Sequence, residues 1–319
     1  MKILMIAEND PAGTAISFTN AINRYTAHHC RLVTKEIRYN FMFEKDIHIP
    51  FMNNGDREEL EHLLRCSDVF HFHMTSDEYI QLGPFQPVDF LHEKLVIHHH
   101  HGHHNFRADP GKYRKKYKAL KRSNLLVSTP DLLHLLPEAR WQPNPVPIND
   151  LRYLPLDGKP NGVIKIVHSP TRKDLKNTNE IIFEVNELKA RGFPVELELI
   201  ENTEHSECLY RKRKCHILFD HLHGYYGVSS LEGLSQGLCV LAGLDKWNQM
   251  HIRNFTGQER IPWLITSTKS MGKNIIELVE SGEKREETAA YSRRFMEKYW
   301  NEQAVTNRLV EFYRDAEAS

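Results

Sequence analysis

Two stretches of the chain concentrate groups able to grip an anion. Val163-Ile164-Lys165-Ile166-Val167 reads as a strand that runs into His168-Ser169-Pro170-Thr171-Arg172-Lys173-Asp174-Leu175-Lys176-Asn177-Thr178 and then a helix. Arg172, Lys173 and Lys176, placed just after a strand and ahead of helix N–H groups, suit a diphosphate, because fixed charge and unsatisfied donors converge there. Taken alone, such a cluster also fits a solvated loop. The second stretch, HGYYGVSSLEGLSQG over 223–237, sets Gly224 and Gly227 where backbone can approach a ligand closely. It would open a helix at Gly227-Val228-Ser229-Ser230. An anion there gains about 0.3–1 kcal/mol from the helix dipole, up to ~2 kcal/mol when partly buried. Glu232 has two readings. It closes a capping box with Ser229, or it accepts hydrogen bonds from a ribose diol, as acidic residues do in dinucleotide folds.

Asp10-Pro11-Ala12-Gly13-Thr14-Ala15 carries a single glycine where a dinucleotide fingerprint would carry three. Gly13 either lets a phosphate or sugar approach the backbone or is a plain turn glycine. His71-x-His73 at a strand end projects both rings to one face, and His98 to His101, His103 and His104 follow the next candidate strand. Imidazole invites a metal reading, but the H-E-x-x-H spacing of a catalytic zinc helix is absent. The expectation is therefore no functional metal, with one or two histidines lining a cleft and the rest structural. Gly111 to Arg122 is a basic, tyrosine-bearing helix candidate. It suits phosphate backbones or anionic lipid, or is simply a solvated face.

The elements that must position these groups alternate. Lys2 to Ala7 is a strand and Thr14 to Tyr25 a helix by apolar spacing, followed by strands at 31–34, 68–73, 94–98 and 125–128 and a helix over 57–64. A proline- and glycine-rich stretch at 143–162 then interrupts the pattern. A second alternation follows, with strands at 163–167, 195–200, 217–220 and 239–242 and helices at 179–191, 206–212 and 229–236. Residues 284–313 carry spacing for one or two amphipathic helices. Strands alternating with helices predict parallel sheets covered on both faces. The fold class expected is α/β: two Rossmann-like doubly wound domains facing a central cleft, with ligands beyond the carboxyl ends of the strands.

Composition narrows the function. Lys+Arg and Asp+Glu both number 42 in 319 residues, so no global field favours nucleic acid or a membrane surface, and an anion must be gripped locally. Five cysteines, odd in number and without a C-x-x-C pair, fit reduced thiols in a cytoplasmic protein. No apolar run approaches the ~20 residues of a membrane-spanning helix, which leaves peripheral membrane contact as the remaining membrane mode.

In order along the chain, "DVFHFH", "VIHHHHG", "LLVSTPDLLHLLPEARWQPNPV", "HSPTRKDLKNT" and "GYYGVSSLEGLSQGLCVLA" resemble the retaining glycosyltransferases of the two-Rossmann GT-B fold, family four. The resemblance covers nearly the whole chain. It implies an N-terminal acceptor-binding domain over 1–152, a nucleotide-sugar-binding domain over 153–295 and a C-terminal helix, 296–319, packing back on the first domain. It implies that Lys176 and one of Arg172 or Lys173 hold the donor diphosphate, assisted by the Val228, Ser229 and Ser230 backbone, with Glu232 on the ribose. His73 or a histidine such as His100 would orient hydroxyls. In the family a carboxylate precedes the equivalent of Glu232 by eight positions; here that position is Gly224. Asp220, Leu222, Gly224, Tyr225, Tyr226 and Gly227 match a subgroup with an Asp-x-Leu, Gly-aromatic-Tyr-Gly pattern.

The expected activity is transfer of a sugar from a nucleotide-diphosphate sugar to an acceptor with retained configuration, without metal or other cofactor. The acceptor class is a glycan, a lipid-linked or a small molecule, with DNA less favoured. The rivals are a nucleotide-sugar 2-epimerase and a non-catalytic nucleotide-sugar-binding partner subunit.

Overall fold

The computed structural model describes residues 1–37, 44–159 and 162–318; Pro160, part of the proline- and glycine-rich stretch, lies outside them. The chain forms two compact units, residues 1–145 with 302–319, and residues 146–301.

In the first unit, β1 (Lys2–Ala7), α1 (Thr14–Tyr25), β2 (His29–Thr34), β3 (Ile47–His48), α2 (Asn54–Cys66), β4 (Val69–His73), β5 (Leu95–His100), α3 (His104–Ala108), α4 (Pro110–Ala119), β6 (Leu125–Val127) and β7 (Arg140–Trp141) follow in order, and the strands form one sheet. Its order is β3-β2-β1-β4-β5-β6-β7 and every pairing is parallel. Such strands are covered on both faces. Leu4, Ile6, Phe70 and Phe72 pack with Leu60 and Leu64 of α2. On the other face Thr19 of α1 reaches Met5, and Phe18 lies against His99. An Asn53–Asp56 capping box fixes the start of α2.

The second unit repeats the layout. β8 (Ile164–His168), α5 (Thr178–Ala190), β9 (Val195–Leu199), α6 (His205–Arg213), β10 (Ile217–Phe219), α7 (Val228–Ser235), β11 (Cys239–Ala242), α8 (Lys246–Thr256), β12 (Trp263–Ile265), α9 (Met271–Glu280) and α10 (Gly282–Tyr299) follow in order. The parallel sheet runs β12-β11-β10-β8-β9. Ile166, Ile217 and Leu241 pack beneath Ile181 and Val185 of α5 and Ile275 of α9. On the opposite face a Cβ at Gly233 of α7 would stand 2.8 Å from Leu218 Cδ1, so this glycine lets the helix close on the sheet.

The last helix, α11 (Glu302–Glu317), belongs to the first unit, as expected for a C-terminal helix packing on the N-terminal domain. Gln142 Nε2 donates to Val305 O at 3.0 Å, and Tyr313 Oη lies 2.7 Å from His71 Nδ1. The expectation that the histidine run follows its strand is corrected. His98, His99 and His100 are inside β5 and 0–1% exposed, because ring contacts and hydrogen bonds with Phe72, Tyr117 and Phe106 accommodate imidazole in a covered strand. No helix among the described residues is long and apolar enough to cross a membrane, and the five cysteines are free thiols.

Candidate functional site

In the second unit the strand order reverses between β8 and β10, the point where a doubly wound sheet opens a crevice at its carboxyl edge. The two stretches singled out in the sequence as candidate anion sites are the loops that follow these two strands and lead into α5 and α7. They touch at three places. Ser169 Oγ and Ser229 Oγ are 3.1 Å apart, Leu222 N donates to Asn177 Oδ1 at 2.9 Å, and Lys176 Nζ donates to Asp220 Oδ1 at 3.5 Å. His168, at the end of β8, fixes the base of the loop, with Nδ1–H donating to Phe219 O at 3.0 Å and Nε2 accepting from Thr178 Oγ1 at 2.9 Å. Asn177 takes a left-handed conformation (φ 52°) to start α5; asparagine tolerates this better than most residues.

The loop from Asp220 to Gly227 is held from below. Asp220 Oδ2 accepts from Gly227 N at 2.6 Å and from Ser230 Oγ at 2.7 Å. Burial alone would raise the Asp220 pKa; His221, Lys176, the Gly227 amide and Ser230 override it and hold the carboxyl well below the usual range. Tyr226 is buried against Trp263 and Trp300, and Tyr225 leans on His221. The paired tyrosines therefore anchor the loop. What remains for a ligand is the first turn of α7, where the Val228 and Ser229 amides precede any intrahelical acceptor, with Lys176 beside it. A Cβ on Gly227 would meet Lys176 Nζ at 3.2 Å, which measures how close the ammonium comes to that turn.

Glu232 is not part of a capping box. Gly227 caps α7 without a side chain, while Ser229 Oγ accepts from Lys212 Nζ at 2.9 Å. Glu232 Oε2 accepts from the same Nζ at 2.5 Å and Oε1 lies 2.6 Å from His205 Nε2. Burial would raise the Glu232 pKa, but Lys212 and His205 pull it down to about 2. Burial would likewise lower Lys212, and the Glu232 charge outweighs it. Lys212 and His205 were absent from the sequence expectations; their separation from Glu232 by 20 and 27 residues hides the triad from local spacing.

Arg172 and Lys173 are half-exposed. Arg172 pairs with Asp174 and Lys173 with Glu201 at 2.9 Å. Gly224 has φ 88°, a conformation that side chains rarely adopt. A Cβ there would stand 3.2 Å from Asp245 Oδ2, so the carboxylate missing at position 224 has a spatial neighbour in Asp245. Asp245 caps α8 through Oδ1, which accepts from Asn248 N at 2.7 Å. Its Asp-x-x-Asn pattern after β11 was the available sequence signal. A cavity of about 550 Å³ adjoins the loop through Asn177 and Leu222 and is also lined by Leu244, Thr266 and Ser270.

The remaining residues lie in the first unit. Gly13 caps α1 with φ 63°, and the Asp10 carboxylate accepts from Ala15 N and Ile16 N, occupying that helix start with an internal anion. His73 ends β4, stacked on His71 and His101. His100 faces the opposite side of the sheet, with Nε2 2.7 Å from Tyr117 Oη.

No protein-family model and no curated protein matches the sequence. Solved structures do match over almost the full length. Anabaena HepE in complex with UDP and glucose aligns with TM-score 0.68 and 10% identity over 99% of this chain and 100% of that one. Sucrose-phosphate synthase from Thermosynechococcus elongatus aligns with TM-score 0.64 and 11% identity over 100% and 99%. UDP-GlcNAc 2-epimerase from Neisseria meningitidis bound to UDP-GlcNAc aligns with TM-score 0.54 and 13% identity over 99% and 100%. The chain shares the GT-B fold of these proteins.

Proposed function

We propose that the protein is a nucleotide-sugar-dependent glycosyltransferase whose donor diphosphate binds between the loop after β8 and the start of α7. The observation that carries this is the convergence of Lys176, Ser169 and the α7 first turn at the strand-order reversal. Glycosidic cleavage develops charge on the leaving diphosphate, so an ammonium and preorganised amides at that point lower the barrier by electrostatics. No metal is required for such a step, and the transferred sugar keeps its anomeric configuration. Arg172 or Lys173 supplies further positive charge once the donor draws it from its surface partner, while Glu232, oriented by Lys212 and His205, meets the ribose. Asp245, beside Gly224, takes the carboxylate role toward the sugar. Free thiols and balanced charge support a cytoplasmic setting. A glycan, a lipid-linked molecule or a small molecule is the acceptor.

The likeness to a UDP-GlcNAc 2-epimerase gives the second reading its support. One experiment separates the two. Incubation with UDP-, GDP-, ADP-, CMP- and dTDP-sugars and an acceptor panel, followed by product analysis, should give a new glycoside of unchanged anomeric configuration. An epimerised sugar with water as sole acceptor establishes the epimerase instead, and donor binding without turnover leaves a non-catalytic binding protein.

A further inference from the structure

The first unit buries a set of imidazoles that the sugar-transfer reading leaves largely unused. Strands β4 and β5 pair in parallel with His73 opposite His99, and His71 lies two residues before His73 on the same face. Three rings from two neighbouring strands are thereby brought to one point. One nitrogen from each of His71, His73 and His99 lies within 4.8 Å of the other two. His71 Nε2 and His99 Nδ1 face each other at 3.2 Å. That separation matches the edge of ~3.3 Å in a tetrahedron of metal–nitrogen bonds about 2.0–2.1 Å long.

The rings are 0–1% exposed, and His73 Nε2 has no hydrogen-bond partner among the described residues. Buried polar atoms left in that state are uncommon and call for a cause. The outward nitrogens, by contrast, are engaged: His71 Nδ1 with Tyr313 Oη at 2.7 Å, and His73 Nδ1 with His101 Nε2 at 2.9 Å. Metal-bound histidines are oriented in this way by a partner on the ring nitrogen that does not ligate.

We propose that His71, His73 and His99 form a three-histidine site for a divalent transition metal, zinc being the best match, with Tyr313 and His101 as the partners that orient His71 and His73. Three imidazoles without thiolate or carboxylate select zinc or its neighbours over calcium and magnesium, which prefer oxygen. The ligand set is written across two strands rather than along one helix, so no local spacing spells it. Phe18 lies against His99 and Tyr313 against His71. The metal's role is structural: it clasps β4 and β5, and through Tyr313 the C-terminal helix α11. The site does not depend on the transfer reading and takes no part in it.

The test uses full-length protein purified without metal-affinity chromatography, because exposed histidines such as His92 and His104 collect metal adventitiously. After gel filtration in mild chelator, elemental analysis should find about one equivalent of zinc per chain. His73→Gln and His99→Gln should lose it, while His104→Gln keeps it. Should the ligand variants fail to fold, Tyr313→Phe serves: it removes only an orienting hydroxyl and should weaken metal affinity roughly 10–100-fold in a competition titration with a chromogenic chelator. Wild-type protein that carries no zinc and takes up none on refolding with zinc overturns the proposal. So does zinc that follows His104, or an affinity unchanged by Tyr313→Phe.

Discussion

Lys176 Nζ and Asp220 Oδ1 are 3.5 Å apart, and the other oxygen of the same buried carboxylate holds Gly227 N and Ser230 Oγ. One side chain thus positions both the ammonium and the helix start that are proposed to face a diphosphate. Because surrounding charges and donors keep its pKa low despite burial, Asp220 stays ionised and keeps both in place.

Gly227 sits at the centre of this arrangement. Its backbone (φ −98°) is open to any residue, but a methyl would lie 3.2 Å from both Asp220 Oδ1 and Lys176 Nζ. Gly227→Ala should therefore cost about 1–2 kcal/mol, because the lysine end can swing away but the buried Asp220 carboxylate, held by Gly227 N and Ser230 Oγ, has to shift by a few tenths of an ångström. It should weaken nucleoside-diphosphate binding about tenfold or more, equivalent to ~1.4 kcal/mol. Parallel denaturation and calorimetric titration measure both; unchanged affinity would count against the site.

Glu232 and Lys212 form a buried pair, 6% and 2% exposed at their side chains. Removing one partner strands the other charge, so Glu232→Gln should destabilise the fold by about 3–5 kcal/mol. Adding Lys212→Met should restore much of the loss. A double-mutant cycle by urea denaturation reads the coupling, and additive losses would show that the pair is not coupled.

The same pair sets an acid limb in stability. Glu232 titrates at about 2 in the folded chain and at ~4.3 in the unfolded one. The unfolded chain therefore binds more protons between these values, so the stabilisation is complete above ~4.3 and is lost as pH falls toward 2. The stability gap between wild type and Glu232→Gln should be constant above about pH 5 and narrower near about pH 3.5. A gap that widens on acidification contradicts the assignment.

Asp245→Asn separates the cap from the proposed carboxylate role. Asparagine caps helices as well as aspartate, so the melting temperature should hold. Turnover should fall by up to about 100-fold if the charge positions the sugar, with little change in KM. A loss confined to KM would place Asp245 in ordinary donor binding.

Much of this was legible in the sequence. The apolar spacing of Thr14 to Tyr25 and the run Cys239 to Ala242 gave their elements to the residue, because each carries its own period. The two loops proposed to face the diphosphate were legible as loops because β8 and β10 each run into a distinctive polar stretch. Other features were not. Between 243 and 283 no element was expected: α8 is dominated by polar residues and β12 is only three residues long. Met271, Ile275 and Leu278 nevertheless carry the spacing of α9. His99 and His100 read as lying beyond a strand ending at His98 because imidazole is polar, yet they belong to β5, where Phe18 lies beside His99 and Tyr117 and Phe106 beside His100. The Lys212–Glu232 pair and the Asp245–Gly224 approach depend on tertiary neighbours that no local period encodes.

Lys176→Ala tests the central claim most directly, with binding of nucleoside diphosphates and kcat/KM for the productive donor measured against wild type. The account predicts intact folding and a loss in kcat/KM equivalent to ~2–4 kcal/mol, about 30- to 1,000-fold, together with weaker diphosphate binding. Turnover and binding near wild type would contradict it.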